Sequence, residues 1–273
     1  MPYNSIQINN LEAEELHPYR TLRRPQEHFS QGIFIAEGEK VVRRLLDSQL
    51  TVISILLTPE WMHELQPQLD KREEDIELFV APKEIVETIV GFNLHQGLMA
   101  AVRVPENQNA DRILPSLPSP SLLVALDGLV NAENVGVIVR NCAAFGVNAI
   151  IVGETSSSPY LRRAVRNSMG AIFQMPVIHV QNLAASLQEL QNKYRYTIAA
   201  AHPAGGHSVY EIDLSGNTCI VLGNEGDGVR QSILDVSPVR LSIPMQNNID
   251  SLNVANASAV LLYEVNRQRH NGK

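Results

Sequence analysis

The stretch LLVALDGLVNAENVGVIVRNCAAFGVNAIIVG, residues 122–153, decides the fold of the second half of the chain. It reads as a strand (122–127), a helix from Val135 to Phe145 that ends at Gly146, and a second strand. Strands that are apolar almost throughout are typical of a parallel sheet covered by helices on both faces. The alternation continues through MPVIHV, YTIAAA, TCIVLG and VRLSIP, with helices between them. The pattern therefore predicts an α/β fold.

The first half of the chain is predicted to be a smaller α/β domain. IFIAEGEKVVRRLLDSQLTVISILL reads as strand, turn, amphipathic helix and strand, and is followed by IELFVAP, a helix from Lys83 to Val90 and GLMAAVRV. Residues 105–120 contain four prolines and few apolar residues, which is typical of a linker. We therefore predict a domain over residues 1–104, a linker over 105–120 and a second domain over 121–273.

Composition and charge limit the class of protein. No apolar stretch approaches the ~20 residues of a membrane span, and the N-terminus lacks a signal-peptide pattern. Cys142 and Cys219 lie in apolar segments, which favours buried thiols in a reducing compartment, so we expect a cytoplasmic protein. The net charge of −7 argues against a general nucleic-acid binder. Clusters such as Arg162, Arg163 and Arg166 could nevertheless bind phosphate, or be ordinary surface charge.

Polar residues follow three of the predicted strands, at the sheet edge where α/β proteins bind ligands. After Asp127 and Gly128, the helix carries Arg140 among apolar residues. A buried guanidinium would need an anionic or polar partner, unless the side chain reaches solvent at the sheet edge. After TCIVLG, the sequence GNEGDG (223–228) is either a plain tight turn or a loop whose backbone approaches a ligand. Its carboxylates suit hydroxyls, amines or cations better than a pyrophosphate.

The third strand end is MQNNIDSLN, residues 245–253, immediately before the closing helix. Asn, Asp and Ser are good helix caps, so one or two of them need no further function. Six hydrogen-bonding side chains are more than a cap can use. They are Gln246, Asn247, Asn248, Asp250, Ser251 and Asn253. This surplus predicts a binding site at the start of the closing helix.

Together, and in this order, the three stretches resemble the three motifs of the SpoU (TrmH-type) branch of the SPOUT RNA methyltransferases. NAENVGVIVRNCAAFG is similar to the first motif, VLGNEGDGV to the second and IPMQNNIDSLNVANASAVLLYE to the third. The resemblance implies a C-terminal trefoil-knot domain that holds S-adenosylmethionine in a bent pose. RRPQEHFSQGIFIAEGEKVVRRLL and HQGLMAAV are similar to the small substrate-binding domain, ribosomal-protein L30e-like, of members that act on ribosomal RNA.

The resemblance also implies residue roles. Methyl transfer to a ribose 2′-hydroxyl would use Arg140, which we interpret as orienting the hydroxyl or a phosphate because its pKa makes it a poor base. Four further residues would position Arg140 and the ribose: Asn134, Glu225, Ser251 and Asn253. The cofactor would contact Gly223, Ile243, Leu252, Met245, Ala201 and His202, with the loop 201–206 closing over it. No metal is required, and the histidines show no ligand spacing.

RNA recognition is implied for the basic segment YLRRAVRNSMGA, with Arg166 and Ser168 at the matching places, and for Arg23 and Arg24 in the first domain. Members of the family are dimers, so the resemblance predicts a homodimer with pockets at the subunit interface. A transfer-RNA methyltransferase and a non-catalytic RNA-binding relative remain alternatives. A dinucleotide-dependent dehydrogenase is disfavoured because the dinucleotide-binding fingerprint is missing after the first strand.

Overall fold

The computed structural model describes residues 3–9, 12–90, 97–203, 206–247 and 249–271. Its strands are β1 Tyr3–Gln7, β2 Ile33–Glu37, β3 Val52–Leu57, β4 Ile76–Val80, β5 Leu98–Arg103, β6 Leu122–Asp127, β7 Ala149–Val152, β8 Val177–His179, β9 Thr197–Ala201, β10 His207–Ser208, β11 Thr218–Gly223 and β12 Val239–Ser242. Its helices are α1 His17–Arg20, α2 Pro25–Ser30, α3 Glu39–Leu46, α4 Pro59–Leu69, α5 Lys83–Val90, α6 Ala110–Ile113, α7 Ala132–Ala144, α8 Arg162–Asn167, α9 Leu183–Tyr194, α10 Gln231–Leu234 and α11 Val254–Asn271.

The chain forms two compact units. Unit 1 comprises residues 1–106 and 160–174, and unit 2 comprises 107–159 and 175–273. Residues 160–174 fall within the predicted second domain but cluster with unit 1. The reason lies in their side chains: the Tyr160 and Phe173 rings pack on Phe34 at centroid distances of 5.4 and 6.1 Å, and Arg44 donates a hydrogen bond to the carbonyl of Met169 at 2.5 Å.

Unit 1 is built on a mixed five-stranded sheet in the order β1-β4-β3-β5-β2. β1 and β3 pair parallel with β4, whereas β5 pairs antiparallel with both β3 and β2. Tyr19 is fully buried in the core of this unit. Its hydroxyl lies 2.8 Å from Ser54 Oγ and accepts a hydrogen bond from the Ala101 amide. The buried phenol is therefore satisfied on both sides.

Unit 2 contains a seven-stranded sheet in the order β10-β12-β9-β11-β6-β7-β8, and each of its pairs is parallel. Helices α7 and α11 pack against each other, and α9 and α10 also lie together. The prediction of an α/β fold with a parallel sheet is confirmed. The strand order places β6, β11, β9 and β12 side by side, so the segments that follow them meet at one edge of the sheet.

Residues 107–116, which we predicted to be part of a linker, are a folded part of unit 2. Asn107 pairs with the edge strand β8, donating to the His179 carbonyl at 3.0 Å and accepting from the His179 amide at 2.8 Å. Leu114 is buried in the core of unit 2, and Asp111 accepts a hydrogen bond from the Tyr194 hydroxyl. The prolines did not prevent this segment from packing against unit 2. It is anchored by the buried Leu114 and by the Asn107 side chain, which bonds to the backbone of β8. The boundaries at 104 and 121 stay predictions.

The helix boundaries differ slightly from expectation. α5 runs from Lys83 to Val90, as predicted. α7 begins at Ala132, three residues before Val135, because the Asn131 side chain caps it by accepting from the Glu133 and Asn134 amides. The basic segment YLRRAVRNSMGA is helical over Arg162–Asn167.

Candidate active site

A cavity of about 500 Å³ opens beyond the carboxyl ends of β9, β11 and β12. It receives residues from the segments after all three strands and from the start of α11. The six residues predicted to contact a cofactor all line it, and they are Ala201, His202, Gly223, Ile243, Met245 and Leu252. Three residues predicted to be catalytic also line it, namely Glu225, Ser251 and Asn253. The remainder of the predicted loop 201–206 includes residues 204 and 205, which lie outside the described residues.

The floor of the cavity includes the glycine-rich turn 223–228. Asn224 and Gly228 exchange two backbone hydrogen bonds of 2.9 and 3.0 Å, and Gly228 has φ +73°, a conformation that favours glycine. A Cβ at Gly223 would lie 2.3 Å from the backbone of Gly228 and Val229. The segment is thus a tight turn, as one of our two interpretations held, and the same turn lines the cavity.

Glu225, on this turn, takes part in a chain of hydrogen bonds that joins the three motifs. The Asn134 side-chain amide donates to Glu225 Oε1 at 2.8 Å. The Asn253 amide donates to Asn134 Oδ1 at 3.2 Å, and Asn253 Oδ1 accepts from the Ala255 amide at 2.9 Å. Because each amide both donates and accepts, the chain fixes the orientation of the Glu225 carboxylate.

An ion pair between a buried carboxylate and a partly exposed guanidinium links the end of β6 to the residues that follow the turn 223–228. Asp127, fully buried at the end of β6, accepts from the Arg230 backbone amide at 2.8 Å and from Arg230 Nε at 2.6 Å. Arg230 also pairs with Glu154 at 2.8 Å. Burial alone would raise the pKa of Glu154, but hydrogen bonds from Arg230 and the Leu183 amide hold it below its ordinary value. The feature of the sequence that could have indicated this pair is Asp127 at the end of an otherwise apolar strand.

Arg140 is not brought together with the other four residues predicted to be catalytic. Its side chain is exposed on α7 and does not line the cavity. Among the residues that the structure describes, no hydrogen bond or ion pair joins it. Of our two alternatives for Arg140, the structure shows the one in which the side chain reaches solvent, because the helix turns Asn141 rather than Arg140 toward α11. Asn141 donates to the Ala255 carbonyl and to Ser258 Oγ, both at 2.9 Å.

The residues predicted to bind RNA all belong to unit 1. Arg23 and Arg24 are exposed, and Arg24 pairs with Glu27 at 3.0 Å. Arg166 is 57% exposed and lies 3.4 Å from Glu37. Ser168 is fully buried, and its hydroxyl donates to the Val165 carbonyl at 2.8 Å. The hydroxyl thus serves the end of its own helix in this structure, and the contact of Ser168 with RNA stays a prediction.

Some of the polar residues at 246–253 cap α11, and others line the cavity. Asn253 caps the helix, and Asp250 and Ser251 line the cavity. Asn247 adopts φ +58°, and Gln246 closes a turn through its carbonyl. Asn248 lies outside the described residues. Most of the surplus thus belongs to the cavity wall or the turn that leads to it.

Neither a metal cluster nor a membrane-spanning helix was found where the structure describes the chain. Within those residues, no group of three or more His, Cys, Asp or Glu side chains could hold a metal ion. The helices over the same residues are too short or too polar to cross a bilayer. Cys142 and Cys219 are free thiols, and burial raises the pKa of both.

Solved structures share the fold of this chain. The SpoU methyltransferase AviRb from Streptomyces viridochromogenes superposes with a TM-score of 0.82 at 24% identity, over 95% of this chain and 98% of that one. An AdoMet-bound rRNA methyltransferase from Sinorhizobium meliloti superposes with a TM-score of 0.83 at 22% identity, over 96% and 98% of the two chains. At these identities the likeness concerns the fold.

Sequence relatives cover most of the chain. It is 31% identical over 253 residues to a protein of Mycobacterium tuberculosis named as an uncharacterized tRNA/rRNA methyltransferase, covering 91% of this chain and 85% of the relative. A 23S rRNA (guanosine-2′-O-)-methyltransferase RlmB of Xylella fastidiosa is 35% identical over 201 residues, 72% of this chain and 80% of the relative. The model of the SpoU rRNA Methylase family matches residues 121–263, which include all three motifs. The chain belongs to the SpoU rRNA methylase family.

Proposed function

We propose that this protein transfers a methyl group from S-adenosylmethionine to a ribose 2′-hydroxyl of ribosomal RNA. The observation that carries the proposal is the hydrogen-bonded chain Glu225–Asn134–Asn253, whose two end residues line a cavity built from three strand ends. It unites residues of three separate motifs at one place. The names of the relatives, among them a 23S rRNA guanosine-2′-O-methyltransferase, support the reaction and the substrate class.

The cavity fits the methyl donor. Its volume of about 500 Å³ lies within the ~300–1,000 Å³ of small-molecule sites. Apolar side chains such as Ile243 and Leu261 suit an adenine ring, and Glu225 and Asp250 suit the positive charges of the sulfonium and ammonium groups. His202 Nδ1 is buried and has no hydrogen-bond partner among the described residues. A bound ligand with a polar group would satisfy it.

S-adenosylmethionine, when bound, supplies an electrophilic methyl group. In the transfer the ribose O2′ would bond to that carbon as the carbon–sulfur bond breaks and leaves its electron pair on sulfur, and the hydroxyl proton would pass to solvent water. Held by Asn134, the Glu225 carboxylate is placed to accept a hydrogen bond from the ribose. Arg140 is proposed to orient the hydroxyl or a neighbouring phosphate, and Ser251 to contact the ribose. Holding the reactants in line supplies much of the acceleration.

We propose a homodimer, and the exposed face of α7 and α11 supports it. Tyr263 is 59% exposed and Val260 is 40% exposed, one turn apart on α11, while Arg140 and Ala144 are exposed on the neighbouring helix. The apolar side chains of this surface would be buried in a self-complementary interface between two copies of the chain. In the dimer, Arg140 would complete the site, since it does not line the cavity of its own chain.

The finer fold assignments also remain proposals. A trefoil knot would thread the segment 245–253 through a loop of the chain. It is supported by the match of residues 121–263 to the model of the SpoU rRNA Methylase family. The mixed sheet of unit 1 supports an L30e-like substrate-binding domain. A ribosomal RNA substrate agrees with the prediction of a cytoplasmic protein.

The test is transfer of labelled methyl from S-adenosylmethionine to unmodified transcripts of 23S and 16S ribosomal RNA and of transfer RNA, followed by mapping of the modified ribose. We expect label on one 2′-oxygen of ribosomal RNA. Label on transfer RNA alone would support the alternative substrate. Cofactor binding and RNA binding without transfer to any of these RNAs would support a non-catalytic relative.

A further inference from the structure

The side chain of Asn224 makes hydrogen bonds to two different segments of unit 2. Its Oδ1 accepts from the backbone amides of Gly226 and Asp227, at 2.8 and 3.1 Å. Its Nδ2 donates to the carbonyl of Gly128 at 2.7 Å, although 96 residues separate the two in the chain. Asparagine side chains often bond to the backbone of their own turn. The turn alone therefore explains the first two bonds but not the bond to Gly128.

Gly128 lies next to Asn224 because of the register of two neighbouring strands. Gly223, the last residue of β11, is paired with Asp127, the last residue of β6. The residues that follow these two consequently lie side by side. The backbone of Asn224 is also fixed, because it exchanges two hydrogen bonds with Gly228. The side chain of Asn224 thus extends from a rigid base toward the segment after β6.

The segment after β6 is a fixed support for this contact. The Leu129 amide donates to Ser156 Oγ at 3.2 Å, and the Leu129 carbonyl accepts from the Ser157 amide at 2.7 Å. The segment leads into α7, whose third residue is Asn134. Gly128 and Asn134 therefore belong to one short stretch of chain that is bonded to the loop after β7.

Glu225 is held to this stretch at two points. The residue before it, Asn224, is bonded to Gly128, and its own Oε1 accepts from Asn134 at 2.8 Å. The first contact fixes the backbone of the turn, and the second fixes the carboxylate. Although Asn224 lines the cavity, its side-chain oxygen already accepts two bonds, which is its full capacity. Its contacts thus serve the position of Glu225.

We propose that Asn224 is a positioning residue for methyl transfer, which sets the place of Glu225 while Asn134 sets the orientation of its carboxylate. The inference rests on the proposed function and adds to it a residue that acts through Glu225. An asparagine that only stabilised the turn would need no bond to the segment that carries Asn134.

The first test is a double-mutant cycle in methyl transfer to unmodified 23S ribosomal RNA. Asn224→Ala should lower kcat about 100-fold, because a small displacement of a positioned group has an effect of that size. KM for RNA and the Kd of S-adenosylmethionine should change little. In a Glu225→Gln background the same substitution should have a much smaller effect, since a positioning residue acts through the group that it positions. An equal effect in both backgrounds would overturn the inference.

Asn217 supplies the matched control, because it joins the same two strands at their opposite ends. It is half-buried like Asn224, and its Oδ1 accepts from the Ser121 amide at 2.9 Å. Asn217→Ala should lower the urea midpoint of unfolding, as Asn224→Ala does, and leave kcat near the wild-type value. A similar loss of kcat in both variants would show that a general loosening of the sheet is responsible, and the inference would fail.

Asn224→Asp separates the two kinds of contact. The aspartate keeps an oxygen for the amides of Gly226 and Asp227, but it turns a second oxygen toward the Gly128 carbonyl, where two acceptors repel each other. We expect a lower kcat at saturating RNA for this variant as well. A wild-type kcat would show that the bond to Gly128 is not needed, and would overturn the inference.

A further readout does not depend on activity. The Asn134 side-chain amide gives NMR resonances that can be assigned by their loss in Asn134→Ala. We expect them to shift in Asn224→Ala and to stay unchanged in Asn217→Ala, because only the former displaces the Glu225 carboxylate. Unchanged resonances in both variants would contradict the proposal. If the wild type methylates no RNA while the resonances shift as expected, the proposed function fails and the positioning of Glu225 by Asn224 stands.

Discussion

Asn134 donates a hydrogen bond to Glu225 at 2.8 Å, although 91 residues separate them in the chain. The contact joins the helix after β6 to the turn after β11, two strands that are neighbours in the parallel sheet. Asn134 in turn accepts from Asn253. The carboxylate of Glu225 is therefore oriented by Asn134, a side chain that does not line the cavity.

The first prediction concerns this pair. Asn134→Ala should lower kcat about 100-fold, because a small displacement of a positioned group has an effect of that size, while S-adenosylmethionine affinity changes little. Glu225→Gln should also lower kcat, since a neutral amide oxygen accepts a hydrogen bond from the ribose less strongly than a carboxylate does. Single-turnover rates of both variants and the double variant test the coupling. Effects that simply add would show that the two residues act independently.

The second prediction follows from the exposure of Arg140. Arg140→Ala should abolish transfer and leave cofactor binding intact. If the site is shared between subunits, mixing inactive Arg140→Ala and Asn134→Ala chains should restore roughly one quarter of wild-type activity, since half of the randomly paired dimers contain one complete site. The measurement is the rate after mixing and re-equilibration, with each variant alone as the control. No restoration in verified mixed dimers would mean that Arg140 acts within its own chain.

The sequence was sufficient to predict what depends on local pattern. Apolar strands such as Leu122–Asp127 and helices such as Lys83–Val90 are specified by residues near each other in the chain. The ordered motifs likewise predicted the residues that line the cavity, because strand ends of a parallel sheet converge whatever the loops contain.

What could not be predicted depends on contacts between distant segments. Residues 160–174 cluster with unit 1 through Phe34 and Glu37, and a basic helix does not reveal an acidic partner 125 residues away. The exposure of Arg140 depends on which face of α7 receives α11. Ser168 shows the same limit, since a serine hydroxyl can either contact a ligand or bond to the backbone of its own helix.

The third prediction concerns Asp127, whose buried carboxylate holds the turn 223–228 through Arg230. Asp127→Asn should lower the free energy of unfolding by about 3 kcal/mol, because it leaves a partly buried guanidinium with weaker partners. Asp213→Asn is the matched control, since the exposed Asp213 accepts hydrogen bonds from Ser215 in its own turn. Urea denaturation measures both. Equal stability of the two variants would show that the Asp127–Arg230 pair does not stabilise the turn.

The fourth prediction is a pH dependence in unit 1. Burial lowers the pKa of His28 below its ordinary value, so the folded state binds fewer protons than the unfolded state as pH falls below about 6.5. Stability from the neutral ring is thus complete above that pH and is lost progressively as pH approaches the folded-state pKa. The thermal midpoint should be lower at pH 5.5 than at pH 7.5, and the difference should shrink in His28→Gln.

His179 supplies the matched control for this experiment. Burial lowers its pKa as well, but it lies in unit 2, so His179→Gln should leave the response of unit 1 unchanged. Hydrogen exchange of the α2 amides at the two pH values separates the units, because the free-energy cost of burying the charged His28 ring falls on unit 1. If exchange in α2 accelerates equally at pH 5.5 in the wild type and in His28→Gln, another group controls this transition.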